Sequence, residues 1–252
     1  VTALLKVTSL TVRFGGKVAV DGLDMAVEEG QLVGLIGPNG AGKTTTIDAI
    51  TGFVRCEGSL SFGGVTLSGS ADGERERRAV SPTARARMGL ARTWQGAELF
   101  DDLSVLEHLQ LAGEQTPAAE LDEILVGLNI EQFAGASVQS LSHGQRKLVG
   151  VARALAGKPR LVCMDEPAAG LDTAESQQLG KRIRQITADG TGVLLVDHDM
   201  GLVLSICDYL YVLDFGRLIA QGTPSEIRNN DIVIEAYLGR RSKRDDAAET
   251  PE

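Results

Sequence analysis

Residues 37 to 45 read GPNGAGKTT and follow directly on the apolar run LVGLI. From Gly37 to Thr44 they satisfy G-x-x-x-x-G-K-[ST] without a mismatch. Glycines at those places let backbone N–H groups turn toward an anion, and the helix that follows adds the positive end of its dipole. Lys43 is placed to reach outer phosphates, Thr44 to offer its hydroxyl to Mg²⁺, and Thr45 to touch the innermost phosphate. A second pair of chemical groups ends the run LVCMDEP at 161–167. Side chains alternate along a strand, so Asp165 and Glu166 point to different sides. Asp165 then suits a Mg²⁺ shell, and Glu166 suits a water held in line with a terminal phosphoryl group. The bland alternative is a strand end closed by a solvated acidic turn before Pro167.

The third element is LSHGQRKLVGVARALAG at 141–157. Ser142 followed by Gln145 ahead of an apolar-periodic run is a capping box. The same helix N-terminus, carrying Gly144, is equally an anion site, and nothing else in the chain obviously fills it.

These groups need elements to hold them. LVGLI, RLVCMD, GVLLVD and YLYVL are nearly continuous apolar runs, as expected of parallel strands buried on both faces. LLKV, LTVRF, VAV, LSF and VTL, in the first seventy residues, read as short hairpin strands. From about 84 to 157 the spacing turns helical, which predicts a helical insertion in an α/β core. Residues 68–87 are charge-dense and read as a mobile surface loop, and 240–252 as a disordered tail.

Composition bounds the function. The chain has 252 residues, 43% hydrophobic and 23% charged, enough for one large core with a subdomain. No stretch reaches the roughly 18 apolar residues that span a bilayer, and the N-terminus lacks a signal-peptide pattern, so a cytosolic chain is expected. Cys56, Cys163 and Cys207 are scattered without C-x-x-C spacing, which disfavours a disulfide framework or a zinc site. A net charge of −9 disfavours a broad nucleic-acid surface.

In this order the three stretches resemble the nucleotide-binding domains of ABC (ATP-binding cassette) proteins, from about residue 4 to 239. The resemblance implies a P-loop NTPase (RecA-like) α/β core with a parallel sheet, an N-terminal antiparallel β subdomain and an inserted helical subdomain. A single domain would then cover 1–239. It also implies Gln95 of RTWQ as the Q-loop glutamine, sensing both the metal and the groove where a permease coupling helix docks, and Asp172 of AGLD as the D-loop aspartate. His198 of VDHD becomes the switch histidine, and Phe14 of RFGG the aromatic that stacks on adenine. Nucleotide contacts fall on Phe14, Gly37, Pro38, Asn39, Gly40, Ala41, Gly42, Lys43, Thr44 and Thr45, and from a partner on Ser142, Gly144, Gln145 and Asp172. Catalysis falls on Glu166, His198, Gln95 and Lys43, and the metal on Thr44, Gln95 and Asp165, with ATP and Mg²⁺ as ligands. Two cassettes would sit head to tail, each ATP between one chain's Lys43 loop and the other chain's Ser142 and Gly144. Gly96 to Phe100 would line the groove where a permease coupling helix docks. Two features depart from the usual pattern: His143 replaces the first glycine of LSGGQ, and Trp94 replaces the Phe usual before the glutamine.

Within the family, GLARTWQ, LSHGQRKL and the segment from VDHDMGL to EAYLG look like cassettes of branched-chain amino acid importers, a group that includes amide and urea uptake. Such a cassette pairs with a second cassette, as homo- or heterodimer, with two permease subunits and indirectly with an external solute-binding protein. It works at the cytoplasmic face of a bacterial membrane. Two alternatives remain at this stage. One is a lipid or lipopolysaccharide export cassette, which shares the GTPSEI to AYLG ending; the other is a soluble ABC ATPase outside transport.

Overall fold

A computed structural model describes residues 3–69, 79–94, 96 and 98–237. Gln95, Ala97, residues 70–78 of the charge-dense stretch and the expected tail at 240–252 lie outside these residues.

The chain runs β1 (Leu5–Phe14), β2 (Lys17–Val27), β3 (Leu32–Ile36), α1 (Lys43–Thr51), β4 (Glu57–Phe62) and β5 (Val65–Ser68). It continues through α2 (Pro82–Arg87), β6 (Leu90–Arg92), α3 (Val105–Ala112), α4 (Ala118–Gly127), α5 (His143–Ala156) and β7 (Leu161–Asp165). It closes with α6 (Thr173–Ala188), β8 (Gly192–Val196), α7 (Met200–Ile206), β9 (Tyr209–Asp214), β10 (Arg217–Gly222) and α8 (Pro224–Arg228).

Two sheets result. One is antiparallel in the order β2-β1-β4-β5; the other has the order β10-β9-β3-β8-β7-β6. In the second, β9, β3, β8, β7 and β6 are mutually parallel, and β10 returns antiparallel to β9. β3, β7 and β8 are buried at every position, which accounts for their unbroken apolar sequence. Alternate residues of each central strand serve different cores. Leu161 and Cys163 pack with α1 and the antiparallel sheet, through Ile47, Ile50, Leu5 and Phe62. Val162 and Met164 pack with α5, α6 and α7, through Val149, Ile183 and Val203. By that parity the next residue, Asp165, faces α1.

Three sequence expectations are corrected. LLKV and LTVRF form one strand rather than two. The break read between them is a bulge at Ser9 (φ 49), where the pairing with β2 and β4 shifts register and the amide donates to Asp24 Oδ1 at 2.7 Å. Within the stretch read as a loop at 68–87, residues 82–87 form α2. Ser81 caps it, Pro82 opens it, and Arg85 anchors it beneath α1, donating to the carbonyls of Val80, Ala49, Ile50 and Leu67. The stretch read as helical from about 84 also contains β6, the edge strand of the parallel sheet.

Candidate functional site

The site lies where β3 and β7 end, the usual place for ligands of an open parallel sheet. Between β3 and α1 the backbone is bare and turned by glycine. Gly37 has φ 151, and a Cβ there would stand 2.1 Å from the Leu213 carbonyl oxygen. Gly42 caps α1 in the left-handed region, φ 102, and no side chain caps that end. Lys43 is almost wholly buried, and its ammonium donates to the carbonyls of Gly37 at 2.7 Å and Pro38 at 3.1 Å. Burial lowers its pKa, while the Glu166 and Asp165 carboxylates pull it back up. The ammonium is thus held on its own loop, beside the place where an anion would draw it.

The loop is braced from two other strands. The Gly216 amide donates to Ala41 O at 3.0 Å, and Gly216 O accepts from the Asp21 amide at 2.8 Å. The turn between β9 and β10 is thereby locked to the hairpin that ends in Phe14. The Tyr237 phenol, in a helical turn at 231–237, sits against the Gly37 backbone; burial there pushes its pKa up to about 12.

At the end of β7, Asp165 is 2% exposed. Neither of its side-chain oxygens has a hydrogen bond of ordinary geometry. Burial raises its pKa; the neighbouring Thr44 hydroxyl offsets this in part, and the Glu166 carboxylate adds to the rise. A buried carboxylate left in this state is expected of a group that meets a cation. Among the described residues no cluster of three or more His, Cys, Asp or Glu could hold a metal alone. The donor set of one carboxylate and one hydroxyl beside a phosphate loop therefore fits Mg²⁺, which keeps its waters and shares itself with substrate phosphates.

Glu166 lies beyond the strand in the left-handed region, φ 49. Its side chain lines the cleft with Lys43 and Thr44, and its carboxylate and that of Asp165 both act on the Lys43 ammonium. His198 is well exposed, with Nδ1 3.7 Å from Asp197 Oδ1. Phe14, Asn39, Gly40, Gly42, Lys43, Thr44, Thr45, Glu166 and His198 together line one open cleft of about 890 Å³.

Ser142, Gly144, Gln145 and Asp172 are not in that cleft. Ser142 and Gln145 form the reciprocal capping box at the start of α5, and Asp172 forms another with Glu175 at the start of α6. The two helix starts abut: a Cβ at Gly144 would meet Leu171 Cδ2 at 2.7 Å and Gly170 O at 2.9 Å. Gln95 lies outside the described residues, but the strand leading to it is fixed. Arg92 on β6 binds Asp48 of α1 at 2.6 Å and stacks over Trp94, Cζ 3.8 Å from the ring centroid. Trp94, Phe53, Glu98, Phe100 and Leu111 line an open groove on this side.

Two residues of the cleft region went unread in the sequence. Phe215 lines the cleft together with Phe14, on a left-handed turn residue with φ 46; no local pattern marks it. Asp197 is buried and accepts from the amides of Ala168 at 3.2 Å and Asp199 at 3.0 Å, tying the segment after β7 to the segment after β8. It ends an apolar run just as Asp165 does, and that pattern is the signal that finds it.

Comparison with known proteins agrees with this geometry. The family model described as ABC transporter matches residues 20–169, and one described as branched-chain amino acid ATP-binding cassette transporter matches 217–242. The chain is 38% identical over 258 residues to the high-affinity branched-chain amino acid transport ATP-binding protein BraF of Pseudomonas aeruginosa, covering 94% of this chain and 98% of that protein. It is 35% identical over 258 residues to LivG of Escherichia coli K12, of the same description and with the same coverage. Among solved structures, a nucleotide-free ATP-binding cassette from an ABC transporter superposes with TM-score 0.81 at 29% identity, over 94% of this chain and 99% of that one. A cassette in its ADP conformation gives 0.80 at 28%, over 95% and 100%. The glycine-turned loop, the buried carboxylate behind it and these full-length likenesses place the chain in the family of ABC transporter ATP-binding cassettes.

Proposed function

We propose that this chain is the ATP-hydrolysing subunit of an importer for branched-chain amino acids or related amides, seated at the cytoplasmic face of the membrane against two permease subunits. Cassettes of this family bind nucleotide, hydrolyse ATP and work with membrane permeases. The observation that carries the assignment of roles is the buried Asp165 carboxylate, neither of whose oxygens has a hydrogen bond of ordinary geometry, behind a loop that holds the Lys43 ammonium on its own carbonyls.

In this reading the backbone amides from Gly37 to Thr45 cradle the phosphates and Lys43 leaves its carbonyls for the outer ones. Phe14 stacks on the base. Thr44, Asp165 and Gln95 would hold Mg²⁺, which supplies charge neutralisation on the phosphate oxygens when bound. Glu166 accepts a hydrogen bond from the attacking water and His198 orients it. Ser142, Gly144, Gln145 and Asp172 complete the nucleotide site of a second cassette, which explains why one chain holds them apart from its own cleft. The groove beside Trp94 and Phe100 receives a permease helix, and 1–239 acts as one cassette with its helical subdomain inserted.

The branched-chain solute rests on the BraF and LivG likenesses and on the C-terminal match at 217–242. The lipopolysaccharide export protein LptB of Escherichia coli K12 is also 35% identical, over 246 residues, but the C-terminal match favours the amino-acid reading. The test is Mg²⁺-ATP turnover of the cassette and of Glu166→Gln, with sizing of both in ATP. Loss of a positioned base predicts turnover lower by about 100-fold or more, with an ATP-trapped dimer. Undiminished turnover in Glu166→Gln would overturn the assignment. Uptake of labelled leucine by the reconstituted complex tests the solute.

A further inference from the structure

The starting point is a cation where the helix should be apolar. On α5 the buried face runs Gly144, Lys147, Leu148 and Val151, the spacing of a core-facing stripe. Lys147 is 5% exposed. A lysine at such a position is costly unless its ammonium meets an acceptor. The ammonium donates to the carbonyl oxygen of Glu166 at 2.7 Å.

That acceptor is not an ordinary carbonyl. Glu166 sits at φ 49, a region that costs a non-glycine residue on the order of 1–3 kcal/mol and persists only where the surroundings over-determine it. Three contacts hold the Glu166 backbone. Its amide donates to Val196 O at 2.7 Å, its carbonyl accepts from the Ala169 amide at a long 3.3 Å, and the same carbonyl accepts from Lys147 at 2.7 Å. The lysine is the short and charged partner of the two on the carbonyl, and so the stronger.

We infer that Lys147 is a positioning residue for hydrolysis: its ammonium clamps the Glu166 carbonyl in the left-handed turn and thereby aims the Glu166 carboxylate into the nucleotide cleft. The inference rests on the reading of Glu166 as the group that orients the water. It also gives α5 two ends with different duties. Ser142 and Gly144 at its start serve the partner's nucleotide, and Lys147, one turn later, serves the chain's own. A shift of α5 on closure over the partner's ATP is therefore transmitted to Glu166 by a single hydrogen bond, with no contact between Lys147 and nucleotide.

The experiment uses the cassette assembled with its partner cassette and permeases. It compares Lys147→Met and Lys147→Arg, each in the wild-type and the Glu166→Gln background. Turnover, KM for Mg²⁺-ATP and affinity for a fluorescent ATP analogue are read, with thermal midpoints as a folding control. Losing a charged hydrogen bond that acts on geometry predicts kcat about tenfold lower for Lys147→Met. KM and analogue affinity should stay within about threefold, and Lys147→Arg should recover most of the rate. In the Glu166→Gln background Lys147→Met should cost nothing further. Lys147→Gln, which keeps a neutral donor, carries the same kcat-against-KM test should the Met variant not assemble. A kcat within twofold of wild type overturns the inference, as does a loss shared equally by kcat and affinity, or the same loss without Glu166. Full turnover in Glu166→Gln alone would overturn the reading of the site and this inference with it.

Discussion

Replacing Asp165 by Asn should make the nucleotide-free protein more stable while removing its response to Mg²⁺-ATP. In the wild type the carboxylate is 2% exposed with both oxygens unpartnered. The nearest guanidinium, Arg92, is already engaged by Asp48 at 2.6 Å. An unsatisfied buried polar group costs about 1–3 kcal/mol, and a charged one more. Asn keeps the volume and removes the charge, so a gain of about 1–2 kcal/mol is expected, or roughly 2–8 °C in Tm for a chain of this length. The pH dependence follows from the raised pKa. A carboxyl whose folded pKa lies above its unfolded value of about 3.9 is protonated in both states at lower pH and carries no penalty there. The penalty builds as pH rises from the unfolded pKa and is complete above the folded one, so the advantage of Asn should be small near pH 4 and larger at pH 8. Thermal unfolding followed by far-UV circular dichroism, in EDTA at both pH values, measures it. Adding saturating Mg²⁺-ATP should then reverse the order, since ligand at about 100 times Kd stabilises the wild type by about 2.7 kcal/mol. A variant no more stable than wild type in EDTA at pH 8 would refute the claim that this carboxylate is held at a cost for want of a cation.

Two further substitutions test the scaffold of the cleft. Gly37→Ala places a methyl 2.1 Å from Leu213 O on a residue at φ 151; overpacking and backbone strain together predict a loss of about 3 kcal/mol, read as a lower denaturation midpoint along with lost nucleotide binding. Arg85→Met removes a guanidinium, itself held below its ordinary pKa by burial, that caps the carbonyls of Ala49 and Ile50 at the end of α1. A loss of about 3 kcal/mol is expected, seen as a lower Tm, and nucleotide affinity at the opposite end of the helix should fall far less.

What could be read from sequence was what chemistry and burial write locally. The phosphate loop is legible because one short loop needs glycine, lysine and hydroxyl types at fixed spacing, and β3, β7 and β8 because two-sided burial leaves no polar residue to interrupt them. α2 was not, because its reason to exist is tertiary: Arg85 reaches carbonyls of α1 and β5 that no spacing rule connects to it. Lys147 failed to stand out for a related reason. In RKLVGVARAL the lysine reads as one more cation on a solvated helix face, and only the end of β7, brought there by the fold, turns it inward. Strand alternation sets Glu166 apart from Asp165 on paper, but it carries no sign of the left-handed backbone that Glu166 adopts.

Several features that cost stability gather around the cleft. Several helix starts are closed by their own side chains, as at Ser104, Ser142 and Asp172, whereas α4, which follows Pro117, is not. Around the cleft the accounting does not close: the start of α1 has no side-chain cap, neither Asp165 oxygen has a hydrogen bond of ordinary geometry, Lys43 spends its charge on neutral carbonyls, and Glu166 is strained. Each defect would be relieved or used by one kind of ligand, an anion with a divalent cation attached. A sheet end that gathers an uncapped helix start, a buried carboxylate and a strained acidic residue has been shaped by what it binds as well as by its own stability.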